Sequence, residues 1–148
     1  MKKQTLNVIA LFSLSILLSV AVFSAGTRFT VKGKIPFAFS VGDQTLAAGD
    51  YTIRSANSGV GIQICSKDCR ERTQVLTNDA LTRQDVPVSK LVFRRYGNQY
   101  FLAKVWLAGE SFGREVPPSR TERELRKDRA KHLAQNAAEP ELVSINAE

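Results

Sequence analysis

Side chains able to do chemistry are few in this sequence. It holds two cysteines, Cys65 and Cys69 in "ICSKDCR", and one histidine, His132. A serine or cysteine nucleophile needs a base within reach, most often histidine, and His132 stands in the charged segment "RELRKDRAKHLAQ". Tetrahedral zinc asks for four ligands, which a lone histidine and two cysteines do not supply. The cysteine spacing is CxxxC rather than the CxxC of redox motifs, and no helix start follows it. Phosphate-binding glycine loops such as G-x-G-x-x-G and the P-loop are absent. The acids between residues 27 and 113 sit mostly beside glycine or in turns, where a carboxylate is solvated. Asp43 and Asp50, in the Gly-Asp steps of "IPFAFSVGDQTLAAGDYTIR", lack the neighbouring acids of a calcium loop. These steps read as turns, with glycine for positive φ and aspartate for the cap. The chain therefore reads as non-enzymatic, with no cofactor and no metal.

One stretch has the makings of a binding surface. "KLVFRRYGNQYFLAKVWL", residues 90–107, reads as a hairpin about Gly97-Asn98. A two-residue loop would leave both faces mixed, whereas a three-residue loop, Gly97 to Gln99, sorts them. One face then carries Leu91, Phe93, Phe101, Ala103, Val105 and Leu107. The other shows Arg94, Tyr96, Tyr100, Lys104 and Trp106, flat rings beside cations that suit sugar rings with acidic substituents. The same mixture binds single-stranded nucleic acid in cytoplasmic proteins. The bland alternative is that such residues simply suit an exposed strand face, or that a C-terminal helix covers Trp106.

The N-terminus decides the compartment. Met1-Lys2-Lys3 precedes an apolar run from Leu6 to Phe23, followed by small residues. This is the pattern of a secretory signal peptide over residues 1–26, with cleavage after Ser24 or Gly26. The alternative is an uncleaved anchor, because a run of about 18 residues is at the lower limit for spanning a bilayer. Three serines within the run, Ser13, Ser15 and Ser19, favour cleavage, and no later apolar run approaches that length, so no membrane span is expected after cleavage. The expected location is the periplasm or the extracellular space, which disfavours nucleic acid as a partner. In an oxidising compartment Cys65 and Cys69 form a structural disulfide, with Ser66-Lys67-Asp68 as the loop between opposed strand ends. So short a ring stabilises by about 2 kcal/mol or less.

Loss of Lys2 and Lys3 lowers the formal charge from +7 to +5, all of it between residues 27 and 113. A basic exported domain is drawn to anionic envelope polysaccharide or to other envelope proteins, although such a charge also simply favours solubility.

The positioning elements follow from periodicity. "RFTVKGK", then Ile35, Phe37, Phe39 and Val41, alternate as half-buried strands do, with Pro36 at an edge. "YTIRS", "GIQIC" and "TQVLTN" supply further strands, and residues 79–89 read as a loop. After residue 113 the character changes. Residues 114–138 read as a linker and a charged helix, opened by the capping-box spacing Ser119 to Glu122 and supported by a Glu122–Arg126 pair. Residues 139–148, "EPELVSINAE", have little to bury and are expected to be a disordered tail.

Three pieces, Ile35 to Phe39, Leu46 to Tyr51 and Tyr96 to Leu102, carry a recurring pattern: I-P-F-x-F, L-x-A-G-x-Y and Y-G-x-x-Y-F-L. In this the chain resembles a family of small exported bacterial β proteins of unknown function, over most of residues 28–126. The resemblance implies a shared β fold and export and transfers no functional residue. Cys65 and Cys69 stand outside the pattern, which implies a local staple.

The sequence thus predicts an all-β domain over 27–113, a small antiparallel sandwich or barrel of about six to eight strands, followed by a C-terminal helix. The expected role is that of an exported non-enzymatic binding, structural or accessory protein of the cell envelope. The alternative is a small-ligand carrier with an apolar pocket inside a barrel.

Overall fold

The computed structural model describes residues 28–56, 59–132 and 139–148. The leader expected over residues 1–26 lies outside them. No helix among the described residues is long and apolar enough to cross a membrane.

Period-two alternation produces two sheets. The first has the order β1-β4-β5-β6, with β1 Thr30–Ile35, β4 Gly49–Ser55, β5 Gly61–Ser66 and β6 Arg72–Leu76, all antiparallel. The second has the order β11-β8-β9-β10-β7. Its strands are β7 Asn78–Leu81, β8 Lys90–Tyr96, β9 Gln99–Trp106, β10 Phe112–Glu115 and β11 Glu141–Asn146. The short β2 (Phe39–Val41) and β3 (Gln44–Leu46) form a hairpin, and β2 meets β9 in a parallel step at Ser40 and Phe101. The fold is mostly β, a sandwich without a closed barrel, with one helix among the described residues, α1 (Arg120–His132). The described residues form eleven strands against the expected six to eight, because several are very short.

Between the sheets lie Ile35, Phe39, Leu46, Ile53, Ile62, Ile64, Leu91, Phe93 and Leu102, all fully buried. Edge-to-face contacts of Phe39 with Tyr51 and with Phe93, at 5.1 and 5.5 Å, join the two layers. Burial of each such side chain contributes about 1.5–3 kcal/mol.

Several expectations are corrected. Gly42, at φ +60°, turns the chain between β2 and β3, but Gly49-Asp50 begins β4 instead, and the bend falls at Ala47-Ala48. Residues 79–89 are only partly loop, since β7 continues to Leu81 and pairs with β10. β10 itself passes the expected domain boundary at 113.

The tail is the largest correction. Residues 141–146, expected to be disordered, pair with β8 across six positions, from Glu141 opposite Arg95 to Asn146 opposite Lys90. Beyond them, Ala147 N donates to Ser89 O, and Glu148 and Lys32 exchange both backbone hydrogen bonds. The tail therefore joins the edge of one sheet to the edge of the other. It needs few apolar side chains because satisfied backbone groups hold it, with Ala147 buried against β1 and Ile145 packed on the core. Removing residues 139–148 should expose both edges and lower stability by at least about 2 kcal/mol, the scale of one buried aliphatic side chain. Urea unfolding of the truncated and full chains measures this.

Candidate functional site

The hairpin turns in two residues, with Tyr96 opposite Gln99 and Gly97 at φ +66°. A three-residue loop is unnecessary because the ladder shifts between Val92 and Phe93: Val92 faces Lys104 while Phe93 faces Leu102, leaving Ala103 as the bulged residue. A bulge restores the facing of the buried residues that an unbroken register would have scrambled. The five predicted surface residues are consequently divided. Arg94, Tyr96, Lys104 and Trp106 share one face with Phe101. Tyr100 lies opposite Arg95 on the other face, stacked on Phe37 with centroids 3.8 Å apart.

Helix α1 closes over the first group. Glu122, only 2% exposed, accepts from Arg94 Nε at 2.5 Å and Nη2 at 3.2 Å, and from the Tyr96 hydroxyl at 3.1 Å. Arg94 Nη2 also donates to Val116 O at 3.0 Å. Burial, and next the Glu122 carboxylate, raise the Tyr96 phenol above its ordinary value. The capping box is half-formed. Glu122 N donates to Ser119 Oγ, but the Glu122 side chain turns to the sheet. The expected Glu122–Arg126 pair is accordingly absent among the described residues, and Arg120–Glu124 forms along the helix instead. Asp43, from the β2–β3 turn, accepts from both the backbone N and the hydroxyl of Thr121, capping the helix from outside. Those hydrogen bonds lower its pKa below the ordinary 3.8. No sequence signal joins Asp43 to a helix nearly eighty residues away.

Trp106 is half-buried. A side chain at Gly113 would meet its ring at 2.7 Å, so the indole lies across that glycine. Lys104 stands 5.9 Å from the indole centroid and 3.7 Å from Glu115. Of the predicted platform, Arg94 and Tyr96 are taken up by the helix, and Tyr100, Lys104 and Trp106 by Phe37, Glu115 and Gly113.

Cys65 and Cys69 are disulfide-bonded. Cys69 does not sit at an opposed strand end, because Cys65 pairs with Arg72; it lies in the β5–β6 loop at φ +49°. Cys65 is on the outward side of its strand, in line with Thr52 and Arg72, yet it is buried. Lys67 N donates to Asp50 O, which lays the loop against the sheet.

The outer face of the β1-β4-β5-β6 sheet is the surface left open. The ladder sets Thr30 opposite Arg54, Lys32 opposite Thr52 and Lys34 opposite Asp50, then Gln63 opposite Arg54 and Gln74 opposite Gln63. Lys32, Lys34, Arg54 and Arg72 are exposed there, with Lys67 beside them. None of these five forms an ion pair among the described residues. On the other sheet Arg94, Arg95, Lys104 and Arg114 are all paired. Sequence reading missed this face because its cations are spread over three strands and a loop. No group of His, Cys, Asp and Glu among the described residues could hold a metal ion.

No protein-family model, curated protein or solved structure matches this chain.

Two outcomes follow from the helix contacts. Glu122→Ala leaves the largely covered Arg94 without its anion; losing one partner of a buried pair costs up to about 3–5 kcal/mol, measurable by urea unfolding. Asp43 has a folded pKa below its unfolded one, so its contribution is present above the unfolded value and lost as pH falls through the folded one. The stability gap between the native chain and Asp43→Asn should therefore be widest above 3.8 and close on acidification below it, as acid titration of the unfolding midpoint will read.

Proposed function

We propose that this protein acts outside the cytoplasm as a non-enzymatic binding or accessory component of the bacterial envelope, meeting anionic polysaccharide through the outer face of the four-stranded sheet. The observation carrying the reading is the set of five cations, Lys32, Lys34, Arg54, Lys67 and Arg72, that no carboxylate among the described residues neutralises in an ion pair. Cations paired within a fold lose much of their reach toward a partner; unpaired ones on a flat face sum their fields over roughly a Debye length of 8–10 Å. The intervening Thr30, Thr52, Gln63 and Gln74 provide hydrogen-bonding groups suited to sugar hydroxyls.

Export is supported by the N-terminal leader pattern and by the Cys65–Cys69 bond, which persists in oxidising surroundings. The resemblance to small exported β proteins points the same way. A carrier would need room between the sheets, and that space is filled by Phe39, Phe93, Ile53, Ile64 and Leu102.

The test is retention on immobilised polygalacturonate. The native chain should bind and elute at moderate salt, and a Lys32→Glu/Lys34→Glu double variant should elute at clearly lower salt with an unchanged unfolding midpoint. Passage of the native chain straight through the column, or identical elution of the two proteins, would overturn the reading.

A further inference from the structure

The basic face is not uniform. Near the β1 edge, a cleft of about 590 Å³ gathers Lys32, Lys34 and Lys67, but Asp50 and Glu148 share its walls. Across the sheet, a cleft of about 440 Å³ is lined by Arg28, Thr30, Arg54, Ser55, Gln63 and Arg72, together with Phe29 and Ala56. It gathers three guanidinium groups and no acidic side chain.

The ladder explains the convergence. Arg54 on β4 and Arg72 on β6 both project outward, separated by β5, so their strands lie about 10 Å apart. They are offset by two positions, since Gln63 faces Arg54 and Cys65 faces Arg72. Both side chains line the one cleft. Arg54 Nε donates to Gln63 Oε1 at 2.8 Å. That bond leaves the terminal nitrogens of Arg54 and the amide NH₂ of Gln63 free of it, and both residues line the cleft.

Arginine and lysine do different work here. A lysine ammonium is a point charge that neutralises an anion in any orientation, whereas the planar guanidinium fork matches two coplanar oxygens. A carboxylate presents that pair of oxygens. Amide and hydroxyl groups beside the arginines, and the Phe29 ring, suit the hydroxyls and the apolar face of a sugar.

We infer that the Arg28–Arg54–Arg72 cleft is a recognition site for the carboxylate of an acidic sugar unit. The arginines hold the carboxylate, and Thr30 and Gln63 the hydroxyls. The inference rests on the polysaccharide-binding reading and names the chemical group recognised.

The experiment is an NMR titration of the full mature chain with a galacturonate tetrasaccharide, its methyl ester, and inorganic phosphate, at matched ionic strength. The Arg54 and Arg72 Nε–H resonances should shift with the acid and stay in place with the ester. Arg54→Lys and Arg72→Lys keep the charge and lose the fork, and each should weaken tetrasaccharide binding by roughly tenfold or more. Because both side chains are exposed, unfolding midpoints should not move. Equal affinity in the lysine variants, shifts confined to Lys32 and Lys34, or phosphate binding as tight as the acid would each overturn the assignment. Polymer retention with unaltered lysine variants would remove the cleft and leave the general basic face. Tetrasaccharide binding at the arginines without polymer retention would do the reverse.

Discussion

A carboxylate that leaves water must find a cation and hydrogen-bond donors where it arrives. Glu122 finds both on the neighbouring sheet, in Arg94 and the Tyr96 hydroxyl, and much of the chain's second half is arranged around that demand. Arg94 reaches simultaneously to the carbonyl of Val116, so one guanidinium ties the linker, the helix and β8 together. The pair fixes which face of α1 meets the sheet. With that settled, Thr121 comes to Asp43, and a turn forming one end of the β2–β3 hairpin becomes a cap for the helix. A buried ion pair adds little net stability compared with apolar packing, yet removal of one member is costly. Its effect here is to specify one docking geometry for a helix whose apolar stripe is thin.

Legibility in the sequence follows the range of the interaction. The alternation of Val31, Ile35, Phe39 and Val41, or of Tyr51 and Ile53, is a local pattern, and each of these residues is buried as its period requires. Ser119 as the helix cap is equally local. The partner of Glu122 was not legible: nearest-neighbour reasoning assigns it to Arg126, whereas the observed partner lies on β8. The hairpin misleads for a related reason. An unbroken ladder through residues 90–107 cannot bury the apolar residues around a two-residue turn, and the structure resolves this with a bulge at Ala103 rather than a longer loop. The tail was illegible because its hold is in backbone hydrogen bonds, to which side-chain composition is blind.

The same distinction bears on the candidate surface. Arg94, Tyr96, Tyr100, Lys104 and Trp106 form the most suggestive cluster of side-chain types in the sequence, and the fold spends two of them on Glu122, one on Phe37 and one on Gly113. A side chain's type does not reveal whether its valences are already satisfied. The outer face of the other sheet draws no attention residue by residue, since its cations come singly from different strands. Only strand order and register collect them.

The disulfide acquires a role in that collection. Cys65 points to the outer side of its sheet, where a cysteine side chain would otherwise stand exposed among Thr52 and Arg72. The loop through Lys67, Asp68 and Cys69 folds back over it and is pinned by the bond, with the Lys67 amide on the Asp50 carbonyl. The bond closes too short a ring to add much stability by restricting the unfolded chain. Lys67, inside the ring that the bond closes, lines the lysine-rich cleft. The bonded pair thus lies at the margin of the surface on which the charge is displayed.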